Sequence, residues 1–416
     1  MSTITIDQVI AGSSNVLIAI VAARVLGVES FGLFGIVFII YVTGQGVSRA
    51  LVSEPLLVHP VEAKEKPGEV IGAAVVLGLG VGVVVCLGGL LASLWDMRLA
   101  EALLVMGVCM PLLVLQDLGR YLGFATHRPS MSLMLDVVWL VLMVAAIGIM
   151  LAAHANSLTW FIAAWAGSGA VAGLVLLWRF RRRSIRPSLS WLRETWMFSW
   201  RYLLSYVATQ GSALIASIGI VAISGVRALG SVRGTLLLMS PIVTFQAASI
   251  AAGVAEVSRL PTEGGHLRKH VVRTTGLTVI VAILTMLVLL FLPDALGRMV
   301  LGATWEPTKP LLLPASIQMI LLALISGPRS AMLGMRVVKV TVRIDVVSTV
   351  IALTATLIGV VVADALGAFW ALSIGQGVIA VIWWTVYRGY RAKARATDAD
   401  DESEVDHHSP TQLAGP

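Results

Sequence analysis

Four runs of this chain, residues 70–94, 137–153, 274–293 and 346–363, contain no Asp, Glu, Lys or Arg at all. A hydrocarbon core about 30 Å thick takes roughly 20 residues of helix to cross, and apolar runs of this length belong there. Inside lipid every backbone amide must find its partner within the protein, which restricts spanning segments to helices and closed barrels; continuous apolar runs are the helical solution. Further spans are predicted at residues 8–25, 32–51, 102–119, 158–178, 198–223, 234–255, 311–327 and 368–387, making twelve. At 57% hydrophobic and 13% charged, the chain has too little polar surface to cover a soluble core. The fold class expected is an all-α polytopic membrane protein of about 12 transmembrane helices.

Twelve spans put both termini on one side, and the 30 Lys and Arg residues then divide very unequally. One side takes 24: Arg49, Lys64, Lys66, Arg120, Arg128, the cluster Arg179, Arg181, Arg182, Arg183, Arg186, Arg193 and Arg201, then Arg259, Arg268, Lys269, Arg273, Arg329, Arg336, Lys339, Arg343, Arg388, Arg391, Lys393 and Arg395. The other takes 6: Arg24, Arg98, Arg227, Arg233, Arg298 and Lys309. Cytoplasmic loops carry the excess, so both termini are predicted to be cytoplasmic. The net charge of +7 is thus a topology signal and calls for no nucleic-acid partner. Trp95, Trp160, Trp178, Trp196, Trp200, Trp370, Trp383 and Trp384 fall near span ends, at headgroup level; Trp139 and Trp165 fall inside spans and are assigned to packing or to a lipid-facing surface. Cys86 and Cys109 lie within apolar spans as unpaired packing residues.

The densest basic run separates two groups of six spans. This gives an N-terminal six-helix lobe (1–180), a basic cytoplasmic linker (181–195), a C-terminal six-helix lobe (196–390) and an acidic tail (391–416) expected to be disordered. A faint repeat supports the division: Gly12-Ser13 is matched by Gly211-Ser212, and a glycine turn at Leu26-Gly27 to Gly32 by one at Leu229-Gly230 to Gly234. Pro111, Pro241 and Pro314 are expected to bend their spans.

No nucleotide loop, HExxH or Cys/His cluster is present, so no catalytic residue, metal or cofactor is expected. What remains is polar residues within or at the ends of spans, which are costly in hydrocarbon and face a cavity or a partner. Arg24, Arg49, Arg120, Asn15, Gln45, Gln116 and Gln210 are the candidate substrate-binding residues, since guanidinium groups suit a pyrophosphate. Glu54, Asp117 and Glu256 are the candidate ion-coupling or pairing carboxylates. The plainer alternative pairs Arg49 with Glu54 and Arg120 with Asp117, or lets the arginines snorkel. Asp136 and Asp345, at cytoplasmic span starts, are expected at the water-accessible interface.

The run Ala22-Ala23-Arg24-Val25-Leu26-Gly27-Val28-Glu29-Ser30-Phe31-Gly32-Leu33-Phe34 resembles the A-R-x-L-G-x-x-x-F-G-L-F/Y hallmark of bacterial polysaccharide exporters. These belong to the multidrug/oligosaccharidyl-lipid/polysaccharide exporter superfamily, whose O-antigen (Wzx-like) flippases carry it most visibly. The segments Arg49 to Leu56, Gln116 to Tyr121 and Ala228 to Gly234 are similar to stretches of such proteins. The resemblance implies two six-helix lobes around a central cavity, in a bacterial inner (plasma) membrane. It also implies alternating access that flips an undecaprenyl-pyrophosphate-linked glycan from the cytoplasmic to the outer leaflet. Implied partners are the lipid-linked glycan, the bilayer, and glycosyltransferases and a polysaccharide polymerase; of the arginines, Arg24 stands in the matching motif. The rival readings are an ion-coupled multidrug or metabolite antiporter and a non-catalytic membrane subunit of a larger export or glycosyltransferase assembly.

Overall fold

The computed structural model describes the chain apart from residues 1–2, 59–64, 127, 182–184, 186, 259–265, 336 and 408–416. Among the described residues it is helical throughout, with no strand. Helix α1 (Thr3–Ser48) continues through a widened π-helical turn (Arg49–Ser53) into a short helix (Glu54–Val58). Then follow α2 (Pro67–Ala92), α3 (Met97–Ala125), α4 (Pro129–Ala152), α5 (Leu158–Arg179), α6 (Ser190–Val257) and α7 (His266–Leu290). The chain ends with α8 (Asp294–Leu301), α9 (Leu312–Ala323), α10 (Ser326–Gly334) and α11 (Val338–His407).

Nine stretches of the described residues are long and apolar enough to cross a membrane, so the protein is a multi-pass membrane protein. Three of the long helices are broken in mid-course, at Gly27 in α1, at Gly225 in α6 and at Ala363 and Asp364 in α11. A 46-residue helix would run to ~69 Å, more than twice the hydrocarbon thickness, so α1 must turn somewhere. It turns at Gly27 (φ 71, ψ 173), and α6 turns at Gly225 (φ 81, ψ 175), in a backbone region essentially reserved for glycine.

These two breaks are equivalent, and they correct the expected repeat. Gly27-Val28 and Gly32 are matched by Gly225-Val226 and Gly230, so the second turn lies at Gly225 and not at Leu229-Gly230, which is helical. Past each break the second arms cross reciprocally: a Cβ on Gly32 would overlap the Val226 carbonyl oxygen, and a Cβ on Gly230 would overlap that of Val28. Small residues at such crossings let helix backbones meet, the main source of cohesion where lipid competes for every apolar side chain.

The chain forms two compact units. The first comprises Met1–Leu237 with Pro293–Lys309, and the second Leu238–Leu292 with Pro310–Pro416. The first unit takes in the first arm of α6 and the start of its second, which the glycine crossing ties to α1. Residues 293–309 join the first unit by similar bonds: Thr304 Oγ1 donates to Ala23 O (3.2 Å) and Thr308 Oγ1 to Ser231 O (3.4 Å). Trp305 is buried there with its Nε1 on Asp294 Oδ1 (3.0 Å), and Lys309 pairs with the same carboxylate (2.7 Å).

One further expectation, the bend at Pro314, meets a different outcome. Pro314 falls in the first turn of α9, where its missing N–H costs nothing and no bend is required, whereas Pro111 and Pro241 lie inside α3 and α6. In the acidic tail the backbone is helical as far as His407. Its Ala, Arg, Lys and Glu content gives it high helix propensity, a factor that net charge and low hydrophobicity do not register.

Candidate functional site

Helical spacing assembles one polar cluster in the first unit. Tyr41, Gln45 and Arg49 follow one another every four residues and so share a face of the second arm of α1. The widened turn begins at Arg49, a type of distortion that recurs at functional sites. On α3, Leu113, Gln116, Asp117 and Arg120 share a face in the same way; α4 adds Asp136, Trp139 and Met143, and α5 adds Trp165. Tyr41, Arg49, Gln116, Asp117, Arg120 and Asp136, with aromatic walls of Trp139 and Trp165, line a cavity of about 60 Å³.

The charges in this cavity balance. Arg49 Nε and Nη2 donate to the two oxygens of Asp117, each at 2.7 Å, in a bidentate pair. Arg120 Nη1 lies 3.8 Å from Asp117 and its Nε 3.2 Å from Asp136, whose other oxygen accepts from Gln116 Nε2 at 2.9 Å. Two guanidinium groups thus meet two carboxylates. Asp117 and Asp136 are 3% and 6% exposed, and carboxylates so deep in a membrane protein persist because they are paired. Gln45 Nε2 donates to Leu113 O (3.0 Å) and holds α1 against α3. Trp165, fully buried, packs against Phe38 and Tyr41 and accepts from Trp139 Nε1 (3.1 Å) at its carbonyl. A water molecule takes up roughly 30 Å³ of liquid, so the cavity has room for a few waters.

Five of the sequence candidates therefore come together: Arg49, Arg120, Gln45, Gln116 and Asp117. Arg49 bonds Asp117 and not Glu54, which is half-buried at the start of the next short helix; the Arg120–Asp117 pair has the i, i+3 form expected. Asp136 is not at a watery interface but inside the cluster, while Asp345 is partly exposed and paired with Arg329 at 3.0 Å. Arg24 is exposed and its side chain makes no ion pair among the described residues. Gln210 is exposed on the first arm of α6, and Asn15 lies in α1 with its side chain outside the described residues. Glu256, in the second unit, pairs with Arg273 (2.8 Å) and faces His270 Nδ1 (3.3 Å).

Sequence reasoning alone passes over Tyr41, and it sets Trp139 and Trp165 aside as packing. The fourfold spacing of Tyr41, Gln45 and Arg49 is the available signal. It also puts Arg233 in an outer loop; with the turn at Gly225, Arg233 lies two turns inside the second arm of α6 and within a membrane span.

The sequence matches the profile of a family described as polysaccharide biosynthesis protein over residues 21–310. No curated protein matches it. Among solved structures, the inward-facing conformation of a multidrug resistance MATE family transporter of the MOP superfamily aligns with a TM-score of 0.71 at 16% identity, over 92% of this chain and 95% of that one. A MOP superfamily transporter from Pyrococcus furiosus, described as having a binding pocket of reverse polarity that suggests a different function, aligns with a TM-score of 0.58 at 15% identity over 94% of each chain. At these identities the likeness is one of fold: this chain has the MATE-like fold of that superfamily.

Proposed function

We propose, because this chain belongs to the polysaccharide biosynthesis protein family, that it flips a lipid-linked oligosaccharide from the cytoplasmic to the outer leaflet of a bacterial plasma membrane. The observation that carries this is the family match, which takes in the broken helix α1, the charge cluster and the second break at Gly225. The MATE-like fold supplies a scaffold for alternating access. On this reading the chain crosses the membrane twelve times with both termini cytoplasmic, in lobes 1–180 and 196–390 joined by the basic linker 181–195. The glycan carrier is an undecaprenyl pyrophosphate, delivered by glycosyltransferases and passed on to a polymerase.

The candidate residues then divide by role. Arg24, with no acidic partner among the described residues, is free to meet the pyrophosphate, with Asn15 and Gln210 as amide contacts for the sugar. Arg49 and Arg120 are committed to Asp117 and Asp136, and with Gln45 and Gln116 they hold α1, α3 and α4 in register. Glu256 is a pairing carboxylate at a span end, whereas Glu54 makes no ion pair among the described residues.

One observation favours the ion-coupled antiporter, the burial of Asp117 and Asp136. Each already has a guanidinium partner, so an incoming cation would have to displace an arginine, and this makes the lipid-linked substrate the better reading. The test is reconstitution of the full chain in vesicles with a short polyprenyl-pyrophosphate oligosaccharide carrying a fluorescent headgroup. Protein-dependent exposure of that headgroup to an impermeant quencher is expected; exchange of a small cationic drug for protons, with the glycan lipid immobile, would establish the antiporter instead.

A further inference from the structure

One half-buried cation of the first unit, Arg233, has its Nε buried and no acidic partner among the described residues. The two broken helices are matched residue for residue, with 27, 28 and 32 answered by 225, 226 and 230, and their crossing is reciprocal. One turn further on, the match continues in position but fails in kind: Gly35 on α1 is answered by Arg233 on α6. The arginine side chain lies across the bare glycine, since a Cβ on Gly35 would come within 2.9 Å of Arg233 Cγ and 3.1 Å of its Nε. A glycine at position 35 is thus what leaves room for the guanidinium.

The bonding of that guanidinium is sparse. Among the described residues Nη2 makes one long hydrogen bond, 3.4 Å to the neutral Ser217 Oγ, and Nε is buried with no partner. No carboxylate pairs with it among the described residues, in contrast to Arg49 and Arg120, which share two. The other five cations that the charge division puts on the sparse side, Arg24, Arg98, Arg227, Arg298 and Lys309, are all exposed. A charge held even partly out of water without a counter-ion is costly, and arginines within membrane spans mark pathways for anions or partners.

We propose that Arg233 is an oxyanion-binding residue, taking the phosphate or diphosphate group of a substrate between the second arms of α1 and α6. The planar fork of donors matches two phosphoryl oxygens at once, and the idle Nε–H with one Nη–H forms one edge of such a fork. That the phosphate belongs to a lipid rests on the function proposed above; that Arg233 binds the oxyanion does not.

The experiment uses the purified full chain in nanodiscs and follows thermal stability and binding with three probes: farnesyl diphosphate, inorganic diphosphate, and anionic against neutral phospholipid in the disc. Wild type is expected to bind farnesyl diphosphate, Arg233→Gln to weaken that binding about 10–100-fold, and Arg233→Lys to fall between, because a point charge cannot replace the fork. Without ligand Arg233→Gln is expected to melt no lower than wild type, since it loses an uncompensated charge. Equal binding of inorganic diphosphate would make the anion itself the ligand; a response to anionic phospholipid alone would make it a headgroup site. The proposal is overturned if wild type responds to none of the probes, a measurement that needs no variant, or if Arg233→Gln binds within about two-fold of wild type. Normal flipping by Arg233→Gln would sink this inference and leave the flippase standing; diphosphate binding through Arg233 in a protein that flips no glycan would do the reverse.

Discussion

The bidentate Arg49–Asp117 pair gives the sharpest test of what the charge cluster is for. Arg49→Ala removes two hydrogen bonds of 2.7 Å and leaves Asp117, 3% exposed, with only the more distant Arg120 at 3.8 Å. Stranding one member of a buried pair costs about 3–5 kcal/mol. The Arg49 side chain is 36% exposed and Arg120 remains, which brings the expected cost to about 2–3 kcal/mol. Asp117→Ala should cost less, about 1–2 kcal/mol, because Arg49 can turn to water and Arg120 keeps Asp136. Removing both leaves neither charge stranded, so the double variant should be about 1–2 kcal/mol better than the sum of the singles. In detergent, with melting followed by intrinsic fluorescence, Arg49→Ala should lower the apparent Tm by about 2–4 °C, and the double variant should melt no lower than that. Strict additivity would refute the idea that the pair acts as a unit. An unchanged Tm with flipping abolished would refute the structural role and make Arg49 a substrate contact.

Other consequences can be checked more briefly. Trp305→Ala should cost about 3–5 kcal/mol, and Trp305→Phe only about 1–2 kcal/mol, because the second keeps the bulk beside Gly297 and loses only the bond to Asp294; equal losses would disprove the packing role. Asp96 caps α3 by accepting from the Arg98 and Leu99 N–H groups, so Asp96→Ala should cost about 1 kcal/mol at neutral pH. Partial burial raises the Asp96 pKa, but hydrogen bonds from Arg98 and Leu99 outweigh it and hold the carboxyl below its ordinary value. The cap's contribution is therefore complete above about pH 4 and lost as pH falls through the lowered value, so wild type and variant should converge in Tm only in strong acid. Ser190→Cys and Asp400→Cys should resist an impermeant thiol reagent in intact cells, and labelling of either would reverse the proposed orientation.

The membrane class, the all-helical fold and five of the cluster residues are legible in the sequence because each depends on local composition and spacing. Arg120 and Asp117 are one helical turn apart, and their pairing follows from helix geometry alone. Arg49 is harder: Glu54 lies nearest along the chain, but the partner is Asp117, brought in by the packing of α1 on α3. Asp136 misleads for the same reason, since its position near a span end says nothing about the helices that cover it. The most consequential ambiguity is the choice among Gly225, Gly230 and Gly234. In one dimension they are interchangeable; in the fold Gly225 supplies a turn, Gly230 a crossing and Gly234 room for Thr308 and Thr304. A turn at Gly230 would put Arg233 out in a loop, where nothing would draw the eye to it.

That distinction between glycines can itself be tested, because the two kinds fail for different reasons. Gly27 and Gly225 have nothing within 4 Å of the point where a Cβ would stand, so substitution there meets only backbone strain, about 1–3 kcal/mol whatever the side chain. Gly32 and Gly230 are helical, and substitution there meets the opposite helix's carbonyl oxygen, which no side-chain rearrangement can move aside. Alanine at either should cost about 1–3 kcal/mol by forcing the helices apart, and each added carbon should make matters worse. The expected pattern is therefore Gly27→Ala equal to Gly27→Leu, and Gly225→Ala equal to Gly225→Leu, with Gly32→Leu and Gly230→Leu much worse than their alanine counterparts. Since the crossing is reciprocal, Gly32→Ala and Gly230→Ala should also cost alike. A size dependence at Gly27 or Gly225, or its absence at Gly32 and Gly230, would mean that the breaks and the crossing lie at other residues, and Arg233 would lose its place beside Gly35.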